Sequence, residues 1–220
     1  MLVTRRQFIE RGVVAGAATA LTASPAFAGA LADSAYPPRP SEARVIVDPV
    51  IEPRLLARAR ESFQRHRAQI RNIDMVAIAD FSKPSALPRF YLLDTYSGRV
   101  TSHLVAHGRG SDPDHSGWLQ RFSNSMGSNA SSNGAYITGD YYPGRYGRSL
   151  RLSGLDHSNS NAFARAIVVH SAWYAEPNVL ATNGRLGRSE GCFAMSYSSL
   201  QETLARLGPG RFLYADKIAA

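Results

Sequence analysis

Residues 166–170 have the sequence Ala-Ile-Val-Val-His, a short apolar run that ends on a histidine. Side chains alternate between the two faces of a strand, so apolar residues at successive positions are typical of a strand buried on both sides. Cys192 follows this run after a segment rich in glycine and arginine, residues 184–191. The run therefore predicts a buried strand that holds His170 in place upstream of the cysteine.

The chain around this strand is rich in similar short runs. Pro53 begins an amphipathic pattern that predicts a helix over 53–72, and residues 198–207 predict a second, short helix. β-Rich apolar runs separated by proline and glycine predict further strands at 75–79, 90–93, 100–106, 135–138, 149–152, 192–195 and 211–214. We therefore expect a mostly β domain with a few peripheral helices.

The amino terminus has the three parts of a secretory signal. Paired arginines, Arg5 and Arg6, precede a weakly apolar run, and small residues at Ala26 and Ala28 form a cleavage site. The arginine pair favours the twin-arginine export route. We predict a signal peptide over 1–28, a Pro- and Ala-rich linker over 29–44 and one compact domain over 45–220.

Charge limits the class of partner. The chain of 220 residues has a formal net charge of +8, and loss of residues 1–28, with three arginines and one glutamate, leaves +6. A basic protein is attracted to nucleic acid, anionic lipid or an acidic wall polymer, and a solvated basic surface is the alternative interpretation. Export argues against nucleic acid. No later run is apolar enough to cross a bilayer, so we expect a periplasmic protein without stable membrane insertion.

Cysteine usage points to thiol chemistry. The chain has one cysteine, which excludes an internal disulfide and a zinc site built on cysteines, so Cys192 is either inert and buried or reactive. A reactive thiol needs a base, for which His170 is the candidate. Glycines before Cys192 allow a sharp turn whose N–H groups can face an oxyanion. A structural cysteine in a non-catalytic wall-binding protein is the alternative.

Metal binding is the weaker hypothesis. His103 and His107 would share a strand face, and the residues that follow them include Asp112, Asp114 and His115. Their spacing matches no known zinc or calcium site, so we expect no metal and no other cofactor.

The segment His170-Ser171 followed by 188–192, Arg-Ser-Glu-Gly-Cys, resembles the catalytic stretch of L,D-transpeptidases, enzymes that cross-link peptidoglycan through diaminopimelate. The likeness to one branch of that family extends over 105–195. It includes the Ser- and Asn-rich residues 122–134, which the resemblance makes a defined loop instead of a flexible tether. The implied fold is an L,D-transpeptidase-type β-sandwich or barrel-like domain.

The resemblance implies a role for each matched residue. Cys192 would be the nucleophile, His170 its base, and the Ser171 carbonyl would orient the imidazole. Gly191 and Cys192 would offer N–H groups to the oxyanion. Ser189 matches the family motif and Arg188 would meet a substrate carboxylate, with loop structure as the alternative for both. His107 and Tyr136 would line the cleft. A thioester with carbapenems is also implied.

Three departures from the family pattern leave the identity of the donor and the acceptor open. Glu190, Phe193 and Ala194 stand where the family has other residues, so contacts to donor and acceptor do not transfer to this chain. The implied activity is peptidoglycan cross-linking of stem peptides. A hydrolase with the same site, such as an L,D-carboxypeptidase or a related wall peptidase or amidase, is the alternative. Papain-like and sortase enzymes fit the order and spacing of the histidine and cysteine less well. The sequence predicts no oligomeric state.

Overall fold

The computed structural model describes residues 51–218. The predicted signal peptide (1–28) and linker (29–44) lie outside the described residues, and the predicted domain over 45–220 is described from residue 51 to residue 218. Among these residues, no helix is both long enough and apolar enough to span a membrane.

Within residues 51–218, eight strands form one mixed sheet: β1 (Met75–Asp80), β2 (Phe90–Asp94), β3 (Val100–His103), β4 (Gly134–Gly144), β5 (Gly147–Gly154), β6 (Val168–Ser171), β7 (Phe193–Met195) and β8 (Phe212–Asp216). Most neighbouring pairs are antiparallel, and the pairs β1–β8 and β6–β7 are parallel. The strand order across the sheet is β3-β2-β1-β8-β4-β5-β6-β7. The prediction of a mostly β domain with a few helices is confirmed.

Every predicted strand overlaps an observed one, and the differences lie at the strand ends. The strand predicted over 100–106 ends at His103 because the chain then crosses to the far edge of the sheet. There Ala106 forms an isolated antiparallel bridge with Ala194 of β7, and Gly108 bridges Ser189. These contacts join the two edges of the sheet and give it the barrel-like closure that the resemblance implies.

Within the described part of the chain, three α-helices accompany the sheet: α1 (Pro53–Arg65), α2 (Pro177–Asn183) and α3 (Tyr197–Arg206). The helix predicted over 53–72 ends at Arg65 and is followed by a 3₁₀ turn. Proline is well suited to the first turn of α1 because that turn needs no internal N–H bond. The Glu52 carboxylate caps α1 by accepting from the Leu55 N–H at 2.7 Å. Helix α2 has no strong apolar period and was not predicted from the sequence.

Both faces of the sheet are covered. In β1 the residues Met75, Ala77 and Ala79 belong to one core cluster, which includes the inner side of α3. The intervening residues Val76 and Ile78 belong to a second cluster beneath α1. This division follows from the two-residue repeat of a strand and explains why all of β1 is buried.

We expect Phe63→Ala to destabilise the fold because Phe63 anchors α1 to the sheet. Its ring is fully buried and meets the Phe212 ring edge-on with centroids 5.4 Å apart. Truncation should lower the free energy of unfolding by about 3–5 kcal/mol, measured by urea denaturation. The matched control is Phe163→Ala, at a residue 58% exposed, with an expected loss of about 1 kcal/mol or less. Equal losses for the two variants would contradict this packing.

Candidate active site

The parallel pairing of β6 and β7 brings His170 and Cys192 to one face of the sheet. The register aligns Val169 with Phe193 and His170 with Ala194. Continued by one residue, it sets Cys192 beside Val168, whose backbone N–H lowers the pKa of the Cys192 thiol. Val168 and His170 are two residues apart on one strand and share a face. Cys192 and His170 are therefore diagonal neighbours on adjacent strands.

The two side chains line one cavity of about 150 Å³. Strand β6 and the turn before β7 supply its floor, and the β4–β5 hairpin supplies the opposite wall. The lining residues are Tyr142, Arg145, Tyr146, Ser149, Ala166, Val168, His170 and Cys192. The cavity has a thiol, a titratable imidazole and an aromatic wall, which is the composition that thiol-dependent acyl transfer needs.

The orientation of His170 is set by its neighbours. Its Nδ1 lies 2.8 Å from the carbonyl oxygen of Ser171. A carbonyl only accepts, so Nδ1 holds the proton and Nε2 is left as the acceptor. The Tyr146 ring stacks on the imidazole with centroids 4.9 Å apart. Burial lowers the pKa of His170, with the hydrogen bond to Ser171 acting in the opposite direction, so the imidazole is neutral at pH 7.

The Cys192 thiol is protonated in this environment. Its Sγ lies 3.5 Å from the carbonyl oxygen of Ala166, which accepts the S–H hydrogen bond. Removal of the sulfur from water raises the pKa of Cys192 to about 11, while the positive charge of Arg165 lowers it and Glu190 raises it further. A thiol with this pKa attacks slowly by itself, so a base must take its proton. Rotation about the Cα–Cβ bond of Cys192 is what would turn Sγ from Ala166 toward the imidazole.

Ser189 holds the turn that presents Cys192. The side chain is buried, and its Oγ donates to the Cys192 carbonyl at 2.7 Å. The same Oγ accepts from the Gly191 N–H at 3.1 Å. The Gly191 N–H therefore has an acceptor within the turn, and its expected contact with an oxyanion stays a prediction that the present hydrogen bond does not favour.

Arg188 is bound to the protein itself. Its Nη1 donates to the backbone carbonyls of Asp112 and Pro113, the latter at 2.9 Å. The expected contact of Arg188 with a substrate carboxylate is therefore not supported, and the loop interpretation fits the structure.

The three departures from the family pattern occupy different environments. Glu190 is exposed and forms an ion pair with Arg109 at 3.0 Å. Phe193 and Ala194 are buried in two core clusters. The two buried residues cannot touch a substrate, so their effect on it is indirect.

His107 and Tyr136 do not line the cavity, and that expectation is wrong. The ring of His107 lies between Arg89, at 2.8 Å, and Asp112, at 3.2 Å, and all three are buried. Burial and the adjacent guanidinium lower the pKa of His107 to about 3. Tyr136 is in the core, where its hydroxyl donates to the Ser132 carbonyl at 2.8 Å.

The histidines and aspartates weighed as metal ligands have other partners. Asp112 is bound to His107, and His115 Nε2 lies 3.0 Å from the Leu186 carbonyl. Residues 51–218 contain no group of three His, Cys, Asp or Glu side chains placed to hold a metal ion.

The loop over 122–134 is defined, as the resemblance implies. Arg165 fixes it by donating to the carbonyls of Ser123 and Ala130 and to the Ser132 hydroxyl. Sequence reasoning did not find this arginine, because its partners come from a distant loop and no local pattern marks it.

The hairpin wall of the cavity was also missed. β4 and β5 pair up to Gly144 and Gly147, so Arg145 and Tyr146 are the two residues of the turn. Gly147 has φ +85°, a conformation that glycine adopts readily. The Gly-x-x-Gly spacing was the one signal in the sequence for a tight hairpin here.

Comparison with known proteins gives one family match. Residues 48–215 match the model of the L,D-transpeptidase catalytic domain. No curated protein matches the chain.

The chain also matches solved structures at low sequence identity. An L,D-transpeptidase from Mycobacterium smegmatis is 13% identical with a TM-score of 0.40, over 65% of this chain and 58% of that one. The helical cell shape determining protein Pgp2 from Campylobacter jejuni is 11% identical with a TM-score of 0.44, over 66% and 48%. The chain thus spans less than two thirds of the length of these proteins.

Gly191→Ala should disrupt the turn that presents Cys192. Gly191 has φ +116°, and an added Cβ would lie 2.7 Å from both the Ala130 carbonyl oxygen and the Ile167 side chain. Gly127→Ala is the control, since Gly127 also has positive φ (+72°) but open space around it. We expect Gly127→Ala to lower the free energy of unfolding by about 1–2 kcal/mol, and we expect Gly191→Ala to lower it by clearly more. Urea denaturation measures both values. Similar costs would show that the close approach does not constrain the turn.

Proposed function

The chain belongs to the L,D-transpeptidase catalytic-domain family, and we propose that it modifies peptidoglycan stem peptides through a thioester on Cys192. The single observation that supports this best is the cavity shared by Cys192 and His170. Family membership supports a peptidoglycan-modifying enzyme, and the residues around the thiol support the chemistry. No metal or organic cofactor takes part in the proposed reaction.

In the first half-reaction His170 Nε2 takes the thiol proton as Sγ attacks the carbonyl carbon of the donor amide. The raised pKa of Cys192 and the lowered pKa of His170 both favour the neutral pair at rest, so proton transfer accompanies attack. The C–S bond forms and the carbonyl oxygen becomes an oxyanion, to which the Cys192 N–H would donate a hydrogen bond. The C–N bond then breaks, and the imidazolium returns its proton to the leaving amine.

In the second half-reaction an amine of another stem peptide attacks the thioester. His170 takes a proton from that amine, the C–S bond breaks and the thiolate is reprotonated. Water in place of the amine gives a carboxylic acid and makes the enzyme a hydrolase. The identity of the attacking group, and not the residues at the thiol, decides between the two outcomes.

We further propose that the protein acts in the periplasm after export. This proposal rests on the signal-like features of residues 1–28, with the arginine pair favouring the twin-arginine route.

Purified mature protein should remove the terminal D-amino acid from diaminopimelate-containing muropeptides. The products are identified by mass spectrometry: cross-linked dimers indicate a transferase and water-terminated products a hydrolase. Cys192→Ala should abolish the reaction because no other group can form the thioester, and His170→Ala should slow it about 10²-fold or more by removing the base. Full turnover by folded Cys192→Ala would contradict the mechanism.

The pH profile of kcat/KM should have a rising limb with an apparent pKa below 6.5. The rising limb reports loss of the proton from His170. Burial of the imidazole lowers the pKa of this group. Tyr146→Ala admits water to the imidazole and stabilises its charged form, so the limb should move to higher pH. Tyr146→Phe retains the stacked ring and should leave the limb in place. A limb that does not move in Tyr146→Ala would refute the shielding role of the ring.

A further inference from the structure

The cavity around Cys192 has one permanently charged lining residue, Arg145. The other lining side chains are apolar, aromatic or hydroxylic, apart from His170, which is neutral at pH 7, and the protonated thiol. None of the lining residues is acidic. The charge contributed by the lining residues is therefore positive, and it lies at the side formed by the hairpin turn.

The other arginines near the thiol already have protein partners. Arg188 donates to two backbone carbonyls, and Arg165 holds the loop over 122–134. Arg109 is paired with Glu190 at 3.0 Å. The guanidinium groups of these three arginines already bind loop and turn residues, so none of them is free to bind a charged group of a substrate.

Arg145 differs from them in its contacts. It is exposed at the hairpin turn, and its guanidinium lies 5.7 Å from the centroid of the Tyr146 ring, the ring that covers His170. Among residues 51–218, no carboxylate lies within ion-pair distance of Arg145. Its N–H groups are therefore available at the mouth of the cavity.

We propose that Arg145 binds a carboxylate of the acyl donor at the mouth of the Cys192 cavity and so selects anionic donors. This inference rests on the proposed thioester function and adds to it the residue that determines donor charge. Arginine suits the role because its planar guanidinium forms paired hydrogen bonds with a carboxylate. The short hairpin turn, closed by Gly144 and Gly147, fixes the backbone from which the side chain extends.

Two alkylating reagents test the proposal without requiring turnover. Iodoacetate and iodoacetamide both form a C–S bond at Cys192 and release iodide, and they differ in having a carboxylate or an amide. We expect Arg145→Gln to lower the ratio of the iodoacetate rate to the iodoacetamide rate by about two- to fivefold, as for a partly exposed ion pair. Arg145→Lys should retain most of the ratio, and high salt should reduce it in the wild type.

Arg148→Gln is the matched control from the same hairpin. The Arg148 guanidinium lies 4.0 Å from the centroid of the Tyr141 ring, and Arg148 does not line the cavity, so its loss should leave the ratio unchanged. An equal effect of the two glutamine variants, or no change in Arg145→Gln, would overturn the proposal.

A donor series extends the test to the natural reaction. Arg145→Gln should lower kcat/KM for a muropeptide with free carboxylates more than for the same muropeptide amidated on diaminopimelate, and an equal loss for both would overturn the role in donor selection. If the alkylation ratio changes as expected while no muropeptide turns over, the anion site stands and the proposed function fails.

Discussion

The parallel pairing of β6 with β7 is the constraint on which the site depends. Parallel neighbours need a long crossover, and here the crossover consists of α2 and the Gly- and Arg-rich segment that leads to Cys192. The register then fixes His170 against Ala194, so backbone hydrogen bonds set the positions of the proposed base, His170, and the proposed nucleophile, Cys192. Side-chain contacts refine this arrangement: the Ser171 carbonyl selects the tautomer of His170, and Ser189 closes the turn beneath Cys192.

A buried polar network supports the same turn from the other edge of the sheet. Arg89 is fully buried, and its guanidinium donates to the Val105 carbonyl and contacts His107. The His107 backbone carbonyl in turn accepts from the Ser189 N–H at 2.9 Å. Burial of a guanidinium is costly unless its N–H groups have acceptors, so this network constrains the chain that crosses between the two sheet edges. The closure of the sheet and the shape of the cysteine turn are thus coupled.

The sequence predicted what local patterns determine. Alternating apolar residues located the strands, the helix that Pro53 begins was evident, and the resemblance brought His170 and Cys192 together. The features that the sequence did not predict depend on contacts between distant segments of the chain. From the sequence, Arg188 was expected to bind a substrate carboxylate. In the structure its guanidinium donates to the carbonyls of Asp112 and Pro113 instead. Tyr146 and Arg145 border the cavity only because a hairpin folds over β6, a placement that no local spacing reveals.

Acylation of Cys192 by a carbapenem is the most direct measurement of the central claim, that a thiol of raised pKa reacts through the neutral imidazole beside it. Intact-mass spectrometry of the mature protein followed over time, with peptide mapping, gives both the site and the rate. The account predicts one adduct, located on Cys192, whose formation is much slower in His170→Ala and absent in Cys192→Ala. An adduct that forms at the wild-type rate in folded His170→Ala, or no adduct on the folded wild type, would contradict it.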